Sequence, residues 1–276
     1  MGKLYVCGTP IGNLGDFSAR AVETLKNVNF IAAEDTRVTI KLLNKFNIKT
    51  ELLSFHKFNE ESRKEEIVNR ILNGEDAALV TDAGMPAISD PGERLVSFCH
   101  KSGVEVVAVP GPTAFATAVA ISGLYSGRIC FEGFLSQNKK SRNEHLNEIK
   151  NYRETLVFYE APHKLLNTLK SMYEIFGNRK IALVKEITKI HETVFNTDIL
   201  QAIEFYSQNN PKGEYVLVIE GKKQEEKKEY TLSDAVALAK ELKQEGNSAA
   251  FAAKQAATVT GLKKSDIYKK ITELTE

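Results

Sequence analysis

Short apolar runs alternate with amphipathic segments along the first 123 residues. Runs of strand length occur at 4–7, 30–33, 77–80 and 104–109. Helical spacing of apolar residues occurs at 17–26, 60–72 and 112–121, and Thr36 is positioned to cap another helix that carries Ile40 and Leu43. Strands that alternate with helices are typical of a largely parallel sheet covered on both faces. We therefore predict an α/β domain over residues 1–123.

A second predicted domain follows the stretch 123–127, which contains two glycines and a serine. Strand-like runs occur at 129–134, 155–159, 180–184, 192–195 and 214–219. Residues 164–176 have clear helical spacing, and a polar segment lies between the first two strands. The pattern predicts a second α/β domain over 124–221, with some antiparallel pairing.

The remainder of the chain has a different pattern. Residues 221–229 are charged and poor in apolar side chains, which is typical of a linker. A helical module is predicted over 230–276, with Ser233 capping its first helix, Ser248 starting the second and Gly261 ending it. Two helices joined by a short glycine turn are compatible with a helix-turn-helix unit. A helical tail packed on the body or on a partner subunit fits the pattern equally well.

Charge and cysteine content narrow the classes of protein. Lys plus Arg number 37 and Asp plus Glu number 36, so bulk charge alone cannot hold a nucleic acid, although a local basic face can. The three cysteines are far apart in sequence, which argues against a disulfide framework or a cysteine-based zinc site. Apolar runs fall short of the roughly 20 residues that a membrane span requires. We expect a cytoplasmic protein without a metal site or membrane association.

Glycine and proline gather in three loops, each directly after a predicted strand, at 8–16, 81–92 and 109–114. Ligands of open α/β sheets bind beyond the carboxyl ends of the strands. The first loop lacks the Gly-Lys-Ser/Thr ending of a phosphate-binding Walker loop and does not match the dinucleotide fingerprint. Stiff loops with small side chains offer main-chain groups to a ligand, and the alternative is a set of tight strand-to-helix turns.

The order of several short motifs points to one family. The motifs are GTPIGNLGD at 8–16, AEDTR at 33–37, DAGMP at 82–86, SDPG at 89–92 and VPGP at 109–112. Later motifs are YEAPHK at 159–164, KEITK at 185–189 and KGEY at 212–215. Over nearly its whole length the chain resembles the tetrapyrrole methylase superfamily. Met85 departs from the pattern, where threonine would be expected.

The resemblance implies two α/β domains of tetrapyrrole-methylase type, with S-adenosylmethionine bound in the cleft between them. It implies transfer of a methyl group to the ribose 2′-hydroxyl of a cytidine in 16S ribosomal RNA, within the RNA or the 30S subunit, by a homodimer. The cofactor-binding residues that it implies are Pro10, Ile11, Asp82, Gly84, Met85, Pro86, Ile88, Thr113, Ala114, Glu160, Ala161, Pro162, Gly213 and Glu214.

A ribose hydroxyl is a poor nucleophile, so a general base or a cation that stabilises the alkoxide would help. We select candidates from polar clusters outside the cofactor loops: His56, Asp35, Arg37, Lys189 and Glu192. Structural alternatives are a loop histidine that caps the next helix, for His56, and an ion pair beside a helix cap, for Asp35 and Arg37.

Contact with RNA requires phosphate-binding side chains. The densest basic stretch, 138–142, lies in a polar segment that we expect to be mobile, and we predict RNA contacts for Lys139, Lys140 and Arg142. A solvated surface is the alternative. Two other functions remain open: a methyltransferase acting on a tetrapyrrole or another small molecule, and a non-catalytic RNA-binding assembly factor.

Overall fold

The computed structural model describes residues 1–223 and 230–273. The chain forms two compact units, residues 1–223 and 224–276. Most of the linker predicted at 221–229 and the last three residues of the predicted helical module lie outside the described residues. Both predicted α/β patterns fall within the first unit.

The first sheet is parallel throughout, with strand order β3-β2-β4-β1-β5. Its strands are β1 Lys3–Cys7, β2 Phe30–Ala33, β3 Glu51–Ser54, β4 Ala77–Val80 and β5 Glu105–Val109. Strands β2 and β4 are buried at every position, as expected for strands covered on both faces. The predicted parallel sheet is confirmed.

Helices cover this sheet: α1 Ala19–Asn27, α2 Thr36–Lys45, α3 Glu60–Leu72 and α4 Glu93–Lys101. Helix α5 Ala114–Ser122 follows β5. The predicted bounds of α3 are confirmed. The cap of α2 is Asp35, whose side chain accepts from the Arg37 amide, so the prediction of a Thr36 cap was wrong by one residue.

The second sheet is mixed, with order β6-β7-β10-β8-β9. Its strands are β6 Ile129–Phe134, β7 Thr155–Glu160, β8 Lys180–Lys185, β9 Thr193–Asp198 and β10 Tyr215–Ile219. Strand β10 pairs antiparallel with both β7 and β8, and β6 pairs parallel with β7. The expected antiparallel pairing is confirmed.

Helices α6 Lys139–Ile149, α7 Pro162–Phe176 and α8 Ile199–Gln208 belong to this half. The segment that was expected to be polar and mobile forms α6 instead. Asn138 caps this helix by accepting from the Lys140 amide, and Leu146 and Ile149 bury its apolar side in the core. The apolar residues are widely spaced among charged ones, which hid the helix in the sequence.

Helix α5 packs on the second sheet although it follows a strand of the first. Ala118 and Val119 join Val157, Val184 and Val216 in one buried cluster. Apolar burial of this kind is the main force that holds elements together. The contact brings the carboxyl end of the first sheet close to one face of the second.

The described part of the second unit contains α9 Leu232–Gln244, α10 Ala249–Thr260 and α11 Lys264–Glu273. Thr231, rather than Ser233, caps α9 in a reciprocal capping box with Asp234. Ser248 caps α10, as predicted. The core of the unit is rich in alanine. Among the residues that the structure describes, no helix is long and apolar enough to span a bilayer.

Candidate active site

The loops after β1 and β4 are joined at the carboxyl end of the first sheet. Thr9 forms an isolated antiparallel bridge with Gly84. The Thr9 amide donates to the Gly84 carbonyl at 2.9 Å, and the Gly84 amide donates to the Thr9 carbonyl at 3.2 Å. The Thr9 hydroxyl also donates to the Thr81 carbonyl at 3.0 Å. These bonds hold two of the glycine- and proline-containing loops as one surface.

The loop after β5 is held against the first by two glycines. A Cβ built on Gly8 would lie 2.6 Å from the Gly111 Cα, and one built on Gly111 would lie 2.8 Å from the Gly8 Cα. Carbon atoms do not approach that closely, so both positions require glycine. We call the three joined loops (8–16, 81–92 and 110–113) the floor of the cleft.

A cavity of about 480 Å³ lies between this floor and the second sheet. Side chains at the ends of β7, β8 and β10, namely Tyr159, Val184 and Tyr215, line its second wall. A volume of this size falls within the range of small-molecule sites.

Tyr159 links the second sheet to the start of α5. Its hydroxyl accepts a hydrogen bond from the Phe115 amide at 3.2 Å. The Phe115 ring stacks on Phe131, with 4.6 Å between ring centroids. Because burial disfavours the phenolate, the pKa of Tyr159 is raised. The residue therefore donates and accepts as a neutral phenol at the cavity wall.

Carboxyl groups gather where the floor meets β2. Glu34 Oε2 accepts from the Thr81 hydroxyl at 2.5 Å, and Asp82 Oδ1 accepts from the Asp35 amide at 3.2 Å. Burial, together with the charge of Glu34, raises the pKa of Asp90 to about 6. The same two causes raise the pKa of Asp82. Asp90 is thus a carboxylate at neutral pH that takes up a proton in mildly acidic solution.

Lys189 lies at the opposite wall between two carboxylates. Its Nζ is 2.9 Å from Glu186 Oε1 and 2.9 Å from Glu214 Oε2. Burial lowers the pKa of Lys189, but hydrogen bonds to Glu214 and Glu186 outweigh that effect and leave it raised. Lys189 is therefore protonated at neutral pH, with its charge already balanced by neighbours.

Glu160 lines the cavity, yet its carboxylate serves the protein itself. It accepts from the Ala161 amide at 2.8 Å and from the Thr168 hydroxyl at 2.5 Å, and it lies 3.0 Å from Lys164 Nζ. Its side chain is buried. These contacts fix the first turn of α7 and leave little of the carboxylate free for a ligand.

Most of the residues expected to bind the cofactor come together in the cavity lining: Ile11, Asp82, Gly84, Met85, Ile88, Thr113, Ala114, Glu160, Ala161 and Glu214. Four others are not among the lining residues: Pro10, Pro86, Pro162 and Gly213. Pro162 is the first residue of α7, and Gly213 has a φ of +77° in a turn packed against Glu186. The roles of these four fit loop geometry better than ligand contact.

Lys189 alone of the catalytic candidates lines the cavity; His56, Asp35, Arg37 and Glu192 lie outside its lining. His56 Nδ1 accepts from the Phe58 amide at 3.2 Å, which is a contact within its own loop.

Asp35 accepts from the Arg37 side chain, whose hydrogen bonds lower the Asp35 pKa to about 2. Such a weakly basic carboxylate is unsuited to deprotonating a hydroxyl. Glu192 Oε2 accepts from the Thr188 amide at 2.6 Å and so closes a turn.

The prediction that Arg142 contacts RNA was wrong. It is buried, its Nε donates to Ser171 Oγ at 3.0 Å, and its Nη1 donates to the Gln137 carbonyl at 3.0 Å. Lys139 and Lys140 on the same helix turn are largely exposed. Arg142 stabilises the start of α6 and does not face an external partner, whereas the RNA contacts of Lys139 and Lys140 stay a prediction.

Sequence reasoning did not predict the following residues of the cavity lining: Glu34, Thr81, Ala83, Ser89, Asp90, Phe115, Phe134, Tyr159, Val184, Ile187, Tyr215 and Val216. Glu34 and Asp90 lie within the quoted motifs, so they were accessible to inference. Phe115, Val184 and Val216 have the apolar character of ordinary core positions. Their exposure to the cavity follows from how α5 and the second sheet pack, for which the sequence carries no local signal.

The sequence of this chain is similar to those of known proteins. The family model described as Tetrapyrrole (Corrin/Porphyrin) Methylases matches residues 3–203. A Synechocystis protein named ribosomal RNA small subunit methyltransferase I is 41% identical over 275 residues, covering 99% of each chain. The protein of the same name from Thermotoga maritima is 46% identical over 222 residues, covering 80% of this chain and 100% of its own.

Solved structures share the architecture at low sequence identity. Diphthine synthase aligns with a TM-score of 0.62 and 12% identity, covering 81% of this chain and 91% of its own. Uroporphyrin-III-C-methyltransferase from Thermus thermophilus aligns with a TM-score of 0.56 and 18% identity, covering 79% and 94%. At these identities the likeness shows the fold, and it confirms the predicted two-sheet α/β class.

Proposed function

The chain belongs to the tetrapyrrole (corrin/porphyrin) methylase family, and within it we propose that this protein methylates the 2′-hydroxyl of a cytidine in small-subunit ribosomal RNA. The observation that carries the proposal is the similarity, across 99% of both chains, to the Synechocystis protein named ribosomal RNA small subunit methyltransferase I. That name supports methylation of small-subunit ribosomal RNA, and the cytidine 2′-hydroxyl is the finer part of the proposal. Solved relatives with quite different substrates share the fold, so the fold alone does not select RNA.

Members of this family use S-adenosylmethionine, and the cavity has the chemistry to hold it. Apolar side chains such as Ile11, Ile88 and Val184 suit an adenine ring, while Asp82 suits a cationic group of the cofactor. The space next to Gly84 supports the same conclusion. A Cβ there would meet protein atoms only at 3.5 Å or more, so the glycine leaves room for a ligand rather than for the protein.

Bound S-adenosylmethionine supplies a methyl group that is already activated, so the protein's task is to position and to manage a proton. The stiff floor holds its main-chain groups in place before any ligand arrives. The wall residues Tyr159 and Phe115 are held together by a hydrogen bond and line the cavity. Asp90, with a pKa of about 6, is the carboxylate best suited to accept the proton of the attacking hydroxyl at neutral pH.

The test is methyl transfer from labelled S-adenosylmethionine to 30S subunits isolated from cells that lack the protein. We expect one labelled cytidine, with resistance of its 3′ phosphodiester to alkali as the mark of 2′-O-methylation. Label in a base, in another nucleotide, or in an added tetrapyrrole precursor but not in the subunits would contradict the proposal. The homodimer stays a prediction, which sedimentation of the full chain in an analytical ultracentrifuge would test. A ribosomal substrate agrees with the expected cytoplasmic location.

A further inference from the structure

A second cavity, of about 590 Å³, has a strongly basic lining that the proposed chemistry does not use. Its lining contains five cationic side chains: Lys150, Arg179, Lys180, Lys222 and Lys223. Among residues 1–223, Glu220 is the single carboxylate of the lining. The net charge of these six groups is about +4 at neutral pH. A concave surface with one sign of charge raises the local concentration of anions.

This basic cavity lies at the opposite end of the second sheet from the cleft. Tyr215 lines the cleft at the start of β10, whereas Glu220 lines the basic cavity directly after its end. Likewise Val184 lines the cleft near the end of β8, and Lys180 begins that strand. At about 3.3 Å per residue, four or five strand residues separate the two sites by roughly 13–17 Å.

Arg179 has an unsatisfied donor in the basic cavity. Its Nη2 donates to the Lys150 carbonyl, and its guanidinium lies 4.7 Å from the centre of the Phe176 ring. Its Nη1 is buried and has no hydrogen-bond partner among the described residues. Burial of this charge lowers the pKa of Arg179, although Glu220 opposes the effect. A buried guanidinium N–H without an acceptor is costly unless a ligand supplies one.

The neighbouring lysines are held in place by local packing. A Cβ on Gly221 would lie 2.2 Å from the Arg153 carbonyl oxygen, so only glycine allows the chain to pass there. Lys222 follows, and its Nζ donates to Asn151 Oδ1 at 3.1 Å. Lys223 lies 3.6 Å from Glu220, the carboxylate of this cavity.

Helix ends account for part of this arrangement. Helices α6 and α7 end next to the cavity, at Ile149 and Phe176, and the carboxyl end of a helix favours cations. The contact of Arg179 with the Lys150 carbonyl is of this kind. Lys180 and Lys222 lie at strand ends rather than in a last helical turn, so the helices do not explain them.

We propose that the basic cavity binds backbone phosphate groups of the substrate RNA, at a point roughly 13–17 Å from the cleft. Arginine forks and lysine ammonium groups are the side chains that bind phosphate oxygens in proteins. The choice of RNA as the source of the phosphate rests on the proposed function; the affinity for a phosphate oxyanion does not. This site anchors the RNA strand while the cleft holds the reacting ribose.

The test compares the salt dependence of small-subunit rRNA binding for the full chain and for Lys180→Ala/Lys223→Ala. These lysines are exposed, so their removal leaves the core intact. We expect weaker binding, with the slope of log affinity against log salt reduced by roughly 1.4–1.8, which corresponds to two lost phosphate contacts. Lys180→Arg/Lys223→Arg is expected to keep the wild-type slope.

The matched control is Lys26→Ala/Lys101→Ala, which removes two exposed lysines from the first half and changes the net charge equally. Equal slopes for the basic-cavity variant and wild type, or an equal loss in the control, would overturn the proposal. So would calorimetric binding of inorganic pyrophosphate at Arg179 with an unchanged RNA slope, because the cavity would then serve a free phosphate compound. Methyl transfer is measured separately: its absence in wild type overturns the proposed function, while the slopes still decide the basic cavity.

Discussion

The first sheet shapes the cleft through glycines, since Gly84 lines the cavity and the close contact of Gly8 with Gly111 joins two of its loops, whereas the second sheet contributes side chains such as Tyr159 and Tyr215. Glycine at a close approach has few substitutes, so the first contribution leaves a recognisable sequence motif. Apolar and aromatic residues at strand ends have many substitutes and resemble core positions. The same cavity is therefore visible in the sequence on one side and nearly invisible on the other.

The largest expected effect follows from placing a side chain on the main-chain floor. Gly84→Val should weaken S-adenosylmethionine binding by roughly 100-fold or more, because the branched side chain occupies ligand space. Isothermal calorimetry measures the effect. Gly74→Val is the matched control, since Gly74 has a similar φ of +103° but open space around it, against +90° at Gly84. Both variants share backbone strain, and an equal loss of affinity in both would place the ligand elsewhere.

A second effect concerns the carboxyl group on the floor. Asp90→Asn should lower the rate of methyl transfer by a factor on the order of 100, as expected for loss of a positioned base. In the wild type the rate should rise with pH through about 6, since the base acts when ionised. A rate profile that is flat between pH 5 and 7 in the wild type would remove Asp90 from this role.

The same shift predicts a pH dependence of stability. The folded pKa of Asp90, about 6, lies above the ordinary value of 3.8. Ionisation of Asp90 is therefore less favourable in the folded state than in the unfolded state. The contribution of this group to the free energy of unfolding is fully present below pH 3.8 and is lost as the pH rises through about 6. The melting temperature of Asp90→Asn should exceed that of the wild type at pH 8, and the difference should shrink as the pH falls from 6 towards 4. A constant difference would contradict the pKa assignment.

In the second half, a smaller effect separates stability from binding at α6. Arg142→Met should lower the free energy of unfolding by about 2–3 kcal/mol, because it leaves the Ser136 and Gln137 carbonyls and Ser171 without their donor. Urea titration measures this change. Lys139→Met/Lys140→Met is the matched variant, and it should leave stability nearly unchanged while reducing the salt slope of RNA binding. The reverse pattern would restore Arg142 as an RNA contact.

The smallest effect comes from the wall of the second sheet. Tyr159→Phe removes the hydroxyl that accepts from the Phe115 amide, a bond worth about 1 kcal/mol, so cofactor affinity should fall by no more than roughly fivefold. Tyr173→Phe, on the exposed side of α7, should bind the cofactor as the wild type does. A fall of 100-fold in Tyr159→Phe would mean that the wall, like the floor, tolerates no change.

The difference between the two halves also explains how far the sequence led. Helix α3 was predicted to its bounds because its apolar positions are regular and Asn73-Gly74 ends it. Elements β3, α4 and α8 were not predicted. Strand β3 is four residues long, begins at the polar Glu51 and packs at the edge of its sheet, so it has little apolar signal.

The candidate site divides along the same line. The family resemblance implied Ile11, Asp82 and Gly84, which lie in the glycine- and proline-rich loops at strand ends and line the cavity. His56 and Asp35 were chosen from polar clusters outside the cofactor loops, and Asp35 also follows a predicted strand, but local hydrogen bonds direct both side chains to their own loops. Which polar side chains enter a cavity depends on tertiary packing, and single motifs do not carry that information.

The close contact between Gly8 and Gly111 restricts how this scaffold can be redesigned. Because neither position accepts even a methyl group, the spacing of the β1 and β5 ends is set by the backbone itself. Attempts to enlarge the cavity or to alter the accepted methyl acceptor should therefore start from Val184, Tyr215 and Val216, where exchange of one side chain reshapes the wall without moving a strand.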